Sequence, residues 1–148
     1  MSFIKVNVHL IWTRYKRNPY LTENIRSDVF KHIRENLVKH GIYIDFINGY
    51  FEHIHCLVSL NADLGISKIV QLIKGESSFW INKNKLTQFK FAWQDEYLAV
   101  SVGDSELERV RNYIANQSLH HKTKSFQQEY DKFISHYGIQ LKSIHRIN

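Results

Sequence analysis

The sequence predicts an α+β fold, a ferredoxin-like or RRM-like split βαβ arrangement with an antiparallel sheet, followed by C-terminal helices, the first of which carries Tyr113. Three observations predict it. Apolar residues recur at period two near residues 3–13, 42–60 and 97–102, and at helical period in the stretches between. The order that results is strand, helix, strand, strand, helix, strand. Beyond about residue 103 only helical periodicity remains. At 148 residues the expectation is one domain, with the βαββαβ core over about 1–103 and the tyrosine helix and a last helix over about 104–148.

The first strand is FIKVNVHLIWT, in which Ile4, Val6, Val8, Leu10 and Trp12 share a face. It runs into a basic turn, RYKRNPY, that holds the single proline, Pro19. A first helix of roughly five turns follows Thr22, a capping candidate: Ile25, Val29, Ile33 and Leu37 keep helical spacing, and Gly41 stands where the helix would stop. IYIDFINGYF and HIHCLVSL, parted by little more than Gly49 and its neighbours, read as a hairpin.

Ile66, Ile69, Val70 and Ile73 open a second helix, which KGESSFWINKN continues less regularly. A basic loop around 83–90 leads to the fourth strand, YLAVSV. In GDSELERVRNYIANQ, Ser105 and Glu108 have capping-box spacing and Leu107, Val110 and Ile114 form the apolar stripe of a third helix. A fourth is expected from Phe126, Tyr130, Phe133, Ile134 and Tyr137, ending before Gly138.

Lysine and arginine outnumber the acids 20 to 14, giving a net charge of +6, which points to a polyanionic partner. The aromatics and nine histidines suit base stacking and phosphate contacts. One cysteine excludes an internal disulfide, so a reducing cytoplasmic setting is expected. Neither a leader-like opening nor an apolar run of bilayer length is present, so no membrane insertion is expected.

EHIHCLVSL carries the first chemistry. Alternation puts His53 and His55 on one face with Leu57 and Ser59, and Ile54, Cys56, Val58 and Leu60 on the other. The two imidazoles are then about 7 Å apart at the backbone, near enough to converge on one ion. Taken alone, such a pair is more often surface or supporting histidine that binds no metal; the spacing is necessary for chelation and not sufficient. Cys56, on the apolar face, is assigned to packing as an inert thiol.

Tyr113 and Gln117 are four apart on the third helix and project from one side. Two imidazoles and the Gln117 amide oxygen would hold a divalent cation with positions open to a phosphate, and Tyr113 would be placed to attack it. The plain alternative is a tyrosine that merely packs on the sheet. Its hydroxyl, with a usual pKa of about 10, would need activation to act as a nucleophile.

Five segments in order, HLIWTRYKRNPYL, EHIHCLVSL, IVQLIKGESSFWIN, FAWQDEYLAVSVGDS and VRNYIANQSLHHK, make the chain resemble the single-tyrosine HUH transposases of insertion sequences. These are the transposase A type, including the relatives associated with repetitive extragenic palindromes. The resemblance implies His53, His55 and Gln117 as metal ligands, Tyr113 as nucleophile and Mg²⁺ or Mn²⁺ as the ion. It also implies a single-stranded or hairpin DNA substrate and a homodimer in which the tyrosine helix of one subunit completes the histidine site of the other. The implied reaction is cleavage and rejoining through a 5′-phosphotyrosine link, and no GxxxxGK[ST] phosphate loop is present. Two departures from the family pattern, Glu52 and Cys56, are expected to leave the chemistry untouched.

Candidate DNA-backbone contacts are Arg14, Lys16, Arg17, Lys74, Lys83, Lys85 and Lys90, and Trp80, Trp93 and Phe79 are candidates for stacking. His120 and His121 would assist proton transfer or serve a hinge. The rival readings are a non-catalytic nucleic-acid-binding module of the same fold, a domesticated nuclease that processes palindromes, and a metallohydrolase using water. Against the first, the exposed face of the third strand is expected to show His53 and His55 where a binding module would show aromatics.

Overall fold

The computed structural model describes residues 3–121 and 124–137, apart from the side chains of Arg17, His120 and Tyr137; Gly138, the expected helix stop, lies outside them. The chain forms two compact units, Met1–Gln117 and Ser118–Asn148. In the first, β1 (Asn7–Thr13), α1 (Glu23–Lys39), β2 (Tyr43–Gly49), β3 (His53–Ser59), α2 (Ile66–Lys83) and β4 (Leu98–Val102) follow one another, and α3 (Leu107–Ala115) comes after. The four strands form one antiparallel sheet in the order β2-β3-β1-β4, the split βαβ arrangement expected.

One face of the sheet carries Val8, Leu10 and Trp12 from β1 and Ile54, Cys56 and Val58 from β3. These pack with Val29, Ile33 and Leu37 of α1 and Ile69, Val70 and Ile73 of α2 in the main core. The other face is smaller: Leu57 and Val102 meet Val110 and Ile114 of α3, with Phe46, Leu107 and Tyr113 at the margin. The tyrosine helix is therefore the lid of this second face.

Several boundaries differ from the sequence reading. β1 begins at Asn7, because its register on β3 runs from Asn7 opposite Ser59 to Thr13 opposite His53 and β3 ends there. Ile4 and Val6 consequently remain exposed. α2 runs unbroken to Lys83 since its polar residues find partners: Ser77 Oγ donates to the Ile73 carbonyl and accepts the Trp93 indole N–H at 2.8 Å.

The capping box expected at Ser105 and Glu108 does not form. A 3-10 turn, Asp104–Glu106, takes up Ser105, and α3 starts only at Leu107 without a side-chain cap. α3 also stops at Ala115, where Asn116 (φ −98°, ψ 24°) breaks the helix, so Gln117 opens a separate short helix, α4 (Gln117–His120).

The second unit contains α5 (Phe126–Tyr137). Its start has the reciprocal pair that the third helix lacks. Ser125 N–H donates to Gln128 Oε1 at 2.9 Å and Gln128 N–H donates to Ser125 Oγ at 3.2 Å, satisfying two first-turn donors at once. Among the described residues, no helix is long and apolar enough to cross a membrane.

Candidate active site

His53 and His55 project from β3 toward α3, and both are fully buried. This corrects the expectation of an exposed histidine face. The reason lies in their neighbour on that face, Leu57, which is apolar and is covered by Val110 and Ile114 when α3 packs down. The two rings lie edge to face, 5.1 Å between centroids.

Each imidazole is held by a partner at its Nδ1. Glu52 Oε1 is 2.7 Å from His53 Nδ1, and because a carboxylate only accepts, that nitrogen bears the proton; in the neutral ring Nε2 then carries the lone pair. His9 Nε2, from β1, is 2.8 Å from His55 Nδ1. If His55 donates there, its Nε2 is likewise the ligand atom. A carboxylate, backbone carbonyl or water behind a ligating histidine is the usual way to fix its tautomer and raise its basicity, and Glu52 and the acceptor nitrogen of His9 stand in that place. Glu52 is thus in direct contact with the imidazole beside it.

Although α3 has already ended, Gln117 turns its amide toward the pair. Its Oε1 is 2.9 Å from His53 Nε2, while its Nε2 faces the Tyr113 carbonyl at 3.5 Å. A lone pair on nitrogen and a carbonyl oxygen at this separation need a shared proton or a cation. Ligand bonds of about 2.1 Å in an octahedral Mg²⁺ site put neighbouring ligand atoms about 3.0 Å apart. The His53–Gln117 spacing therefore fits two ligands of one divalent ion.

Tyr113, half-buried on α3, presents its ring to the histidines edge-on. Its centroid is 5.7 Å from that of His55 and 6.3 Å from that of His9. A phenol, two imidazoles and an amide oxygen are the kinds of group that phosphodiester exchange at a divalent ion requires.

The family model for IS200-like transposases matches residues 2–117, which include every residue named in this site. The chain belongs to the IS200-like transposases. No curated protein matches it. Among solved structures, this IS200-like transposase is similar to a putative transposase from Deinococcus radiodurans, with 19% identity over 78% of this chain and 93% of that one and a TM-score of 0.62. It is similar also to a REP-associated tyrosine transposase bound to a REP hairpin, with 17% identity over 82% and 72% of the two chains and a TM-score of 0.62. At these identities the likeness is one of fold.

The basic candidates of this transposase divide into two groups. Lys16, Lys83, Lys85 and Lys90 are exposed. Arg14 is 3% exposed, with its guanidinium 3.8 Å from the Tyr20 ring centroid and hydrogen bonds to the Tyr15 and Lys90 carbonyls; desolvation lowers its pKa. Lys74 Nζ donates to the carbonyls of Gln94, Asp95 and Glu96 at 2.6, 2.9 and 3.1 Å, tying down the loop before β4. The Arg17 side chain lies outside the described residues.

Trp93 is buried core, Trp80 stacks on His32 at 4.2 Å, and Phe79 is exposed beneath Lys83. His121 pairs with Glu129 at 3.4 Å in the second unit. One residue that sequence reasoning missed is His9. Its signal was a polar side chain on the face of β1 opposite Val8, Leu10 and Trp12, the same alternation that singled out His53 and His55.

Proposed function

We propose that this transposase cleaves and rejoins single-stranded DNA at hairpin-flanked sites by transesterification at Tyr113. The observation that carries the reading is the meeting of Tyr113, His53, His55 and Gln117 over one small patch of sheet. The Tyr113 oxygen forms a bond to phosphorus as the bond to the departing 3′ oxygen breaks. The phenolic proton is lost and the 3′ oxygen leaves as a hydroxyl, so one phosphodiester replaces another and no nucleotide cofactor is consumed. A later attack by a 3′-hydroxyl on the 5′-phosphotyrosine reverses the exchange and releases the phenol.

His53, His55 and Gln117 would hold Mg²⁺ or Mn²⁺, which when bound supplies charge stabilisation at a non-bridging phosphate oxygen. Glu52 and His9 keep the two imidazoles in the tautomer that offers Nε2. The lid of Val110 and Ile114 removes water from the floor of the site, which strengthens each of these polar interactions. The exposed lysines Lys16, Lys83, Lys85 and Lys90 and Arg17 contact the DNA backbone, with Arg14 holding the backbone at Tyr15 and Lys90 and Lys74 holding residues 94–96. A homodimer belongs to this reading.

The test is incubation with labelled hairpin-bearing single-stranded DNA and Mn²⁺, followed by denaturing electrophoresis. A protein–DNA adduct is expected that vanishes with chelator and with Tyr113→Phe, while Tyr113→Phe still binds the DNA. An adduct that survives in Tyr113→Phe rejects the nucleophile.

A further inference from the structure

We infer that the bulged edge strand β2 sets the register of the tyrosine helix, with Asp45 and Asn48 as positioning residues for Tyr113; this rests on Tyr113 being the nucleophile. The pairing of β2 with β3 shifts between Ile44 and Phe46, so Asp45 is the extra residue of a bulge. Without it, alternation would send Phe46 to the same face as Ile44. With it, Ile44 and Ile47 pack in the main core, Phe46 packs with the α3 cluster, and Asp45 is turned toward α3 as well.

There the Asp45 carboxylate receives a fork of two hydrogen bonds from Arg111, Nε to Oδ1 at 2.8 Å and Nη2 to Oδ2 at 2.6 Å. This planar bidentate pairing fixes orientation as well as distance. Glu108, one turn earlier on α3, lies 3.5 Å from the same guanidinium and steadies its far side. Three residues along β2, Asn48 Nδ2 donates to the Ile114 carbonyl at 2.9 Å and the Ala115 carbonyl at 3.2 Å. These belong to the end of the helix, where carbonyls have no partner of their own. Asn48 is also the cross-strand partner of His55.

Tyr113 thus sits between two attachments, at 111 and at 114–115, both made by one strand that also pairs with the histidine strand. The apolar contact under α3 is confined to a few side chains and is non-directional, so it tolerates sliding and rotation. The two polar attachments do not. A misplacement of about 1 Å at a reacting group costs on the order of 100-fold in rate, which is the scale on which this clamp acts.

The experiment compares wild type, Asp45→Asn, Asn48→Ala, Arg111→Asp and the charge exchange Asp45→Arg/Arg111→Asp in the full chain. Four readouts are taken: melting temperature, affinity for labelled hairpin DNA, single-turnover adduct formation, and Mn²⁺ affinity without DNA by electron paramagnetic resonance. Expected are adduct rates about 10–100-fold lower in the single variants, with DNA affinity within about threefold, and at least tenfold recovery in the charge exchange. Mn²⁺ binding should weaken too, because Gln117 follows the same helix. Wild-type adduct rates in folded Asp45→Asn and Asn48→Ala, or a charge exchange no better than Arg111→Asp, overturn the clamp. A wild-type chain that forms no adduct sinks the proposed function instead, and the Mn²⁺ arm then decides: unchanged affinity in the single variants overturns the clamp on its own.

Discussion

His9 Nε2 stands 2.8 Å from His55 Nδ1, joining two histidines 46 residues apart across neighbouring strands. One of the two must donate, and donation by His55 is what leaves its other nitrogen for an ion. His9→Ala is expected to weaken Mn²⁺ binding by about 10–100-fold, the usual cost of losing the partner behind a ligating histidine. His9→Gln, whose amide oxygen can accept the same proton, is expected to retain more of it. A calorimetric titration with Mn²⁺ in the absence of DNA checks this, and wild-type affinity in His9→Ala refutes it.

Lys74 donates to three successive backbone carbonyls at the loop before β4. Its ammonium is held by the chain itself, and desolvation lowers its pKa. Lys74→Met is expected to cost about 1.5–3 kcal/mol of stability, the range for hydrogen bonds to a charged group, while the salt dependence of DNA affinity stays at its wild-type slope. Denaturant melts and binding isotherms at several salt concentrations separate the two; a shallower slope in the variant makes Lys74 a phosphate contact.

Burial pushes the Cys56 thiol well above its ordinary range. The folded protein therefore keeps the proton at pH values where the unfolded chain, with its thiol near 9, loses it. The sign follows: the unfolded state binds fewer protons above pH 9, so stability falls there by about 1.4 kcal/mol per pH unit from this group alone. Cys56→Ala is expected to lose less stability between pH 8 and about pH 10 than wild type does, as read by urea denaturation. The native thiol should resist alkylation at pH 8; rapid labelling in the folded state would contradict its burial.

Tyr113 meets the His55 of its own chain, with ring centroids 5.7 Å apart. A mixture of Tyr113→Phe and His55→Ala chains is expected to form no adduct, since neither chain then carries both halves of a site. Recovered cleavage on mixing would mean that the tyrosine helix is exchanged between subunits, as a swapped element can be without new contacts.

Periodicity was enough to determine the element order, the split βαβ sheet, and which residues of β3 share a face, because strand alternation is a local property of the chain. It also singled out His53, His55, Tyr113 and Gln117 by residue type and spacing. What it left undecided was exposure: the histidine face is buried because α3 folds back over Leu57, a contact between residues about 55 positions apart that no local pattern encodes. Local spacing even misled at Ser105 and Glu108, where a 3-10 turn displaced the helix start, and at Gln117, which reaches His53 from beyond the end of α3. The partners His9, Glu52, Asp45 and Asn48 were each ordinary polar residues until the sheet and the bulge of β2 aimed them. Side-chain type is written in the chain, but the direction in which a buried polar group points is set by the neighbours that close around it, and those are chosen only by the tertiary fold.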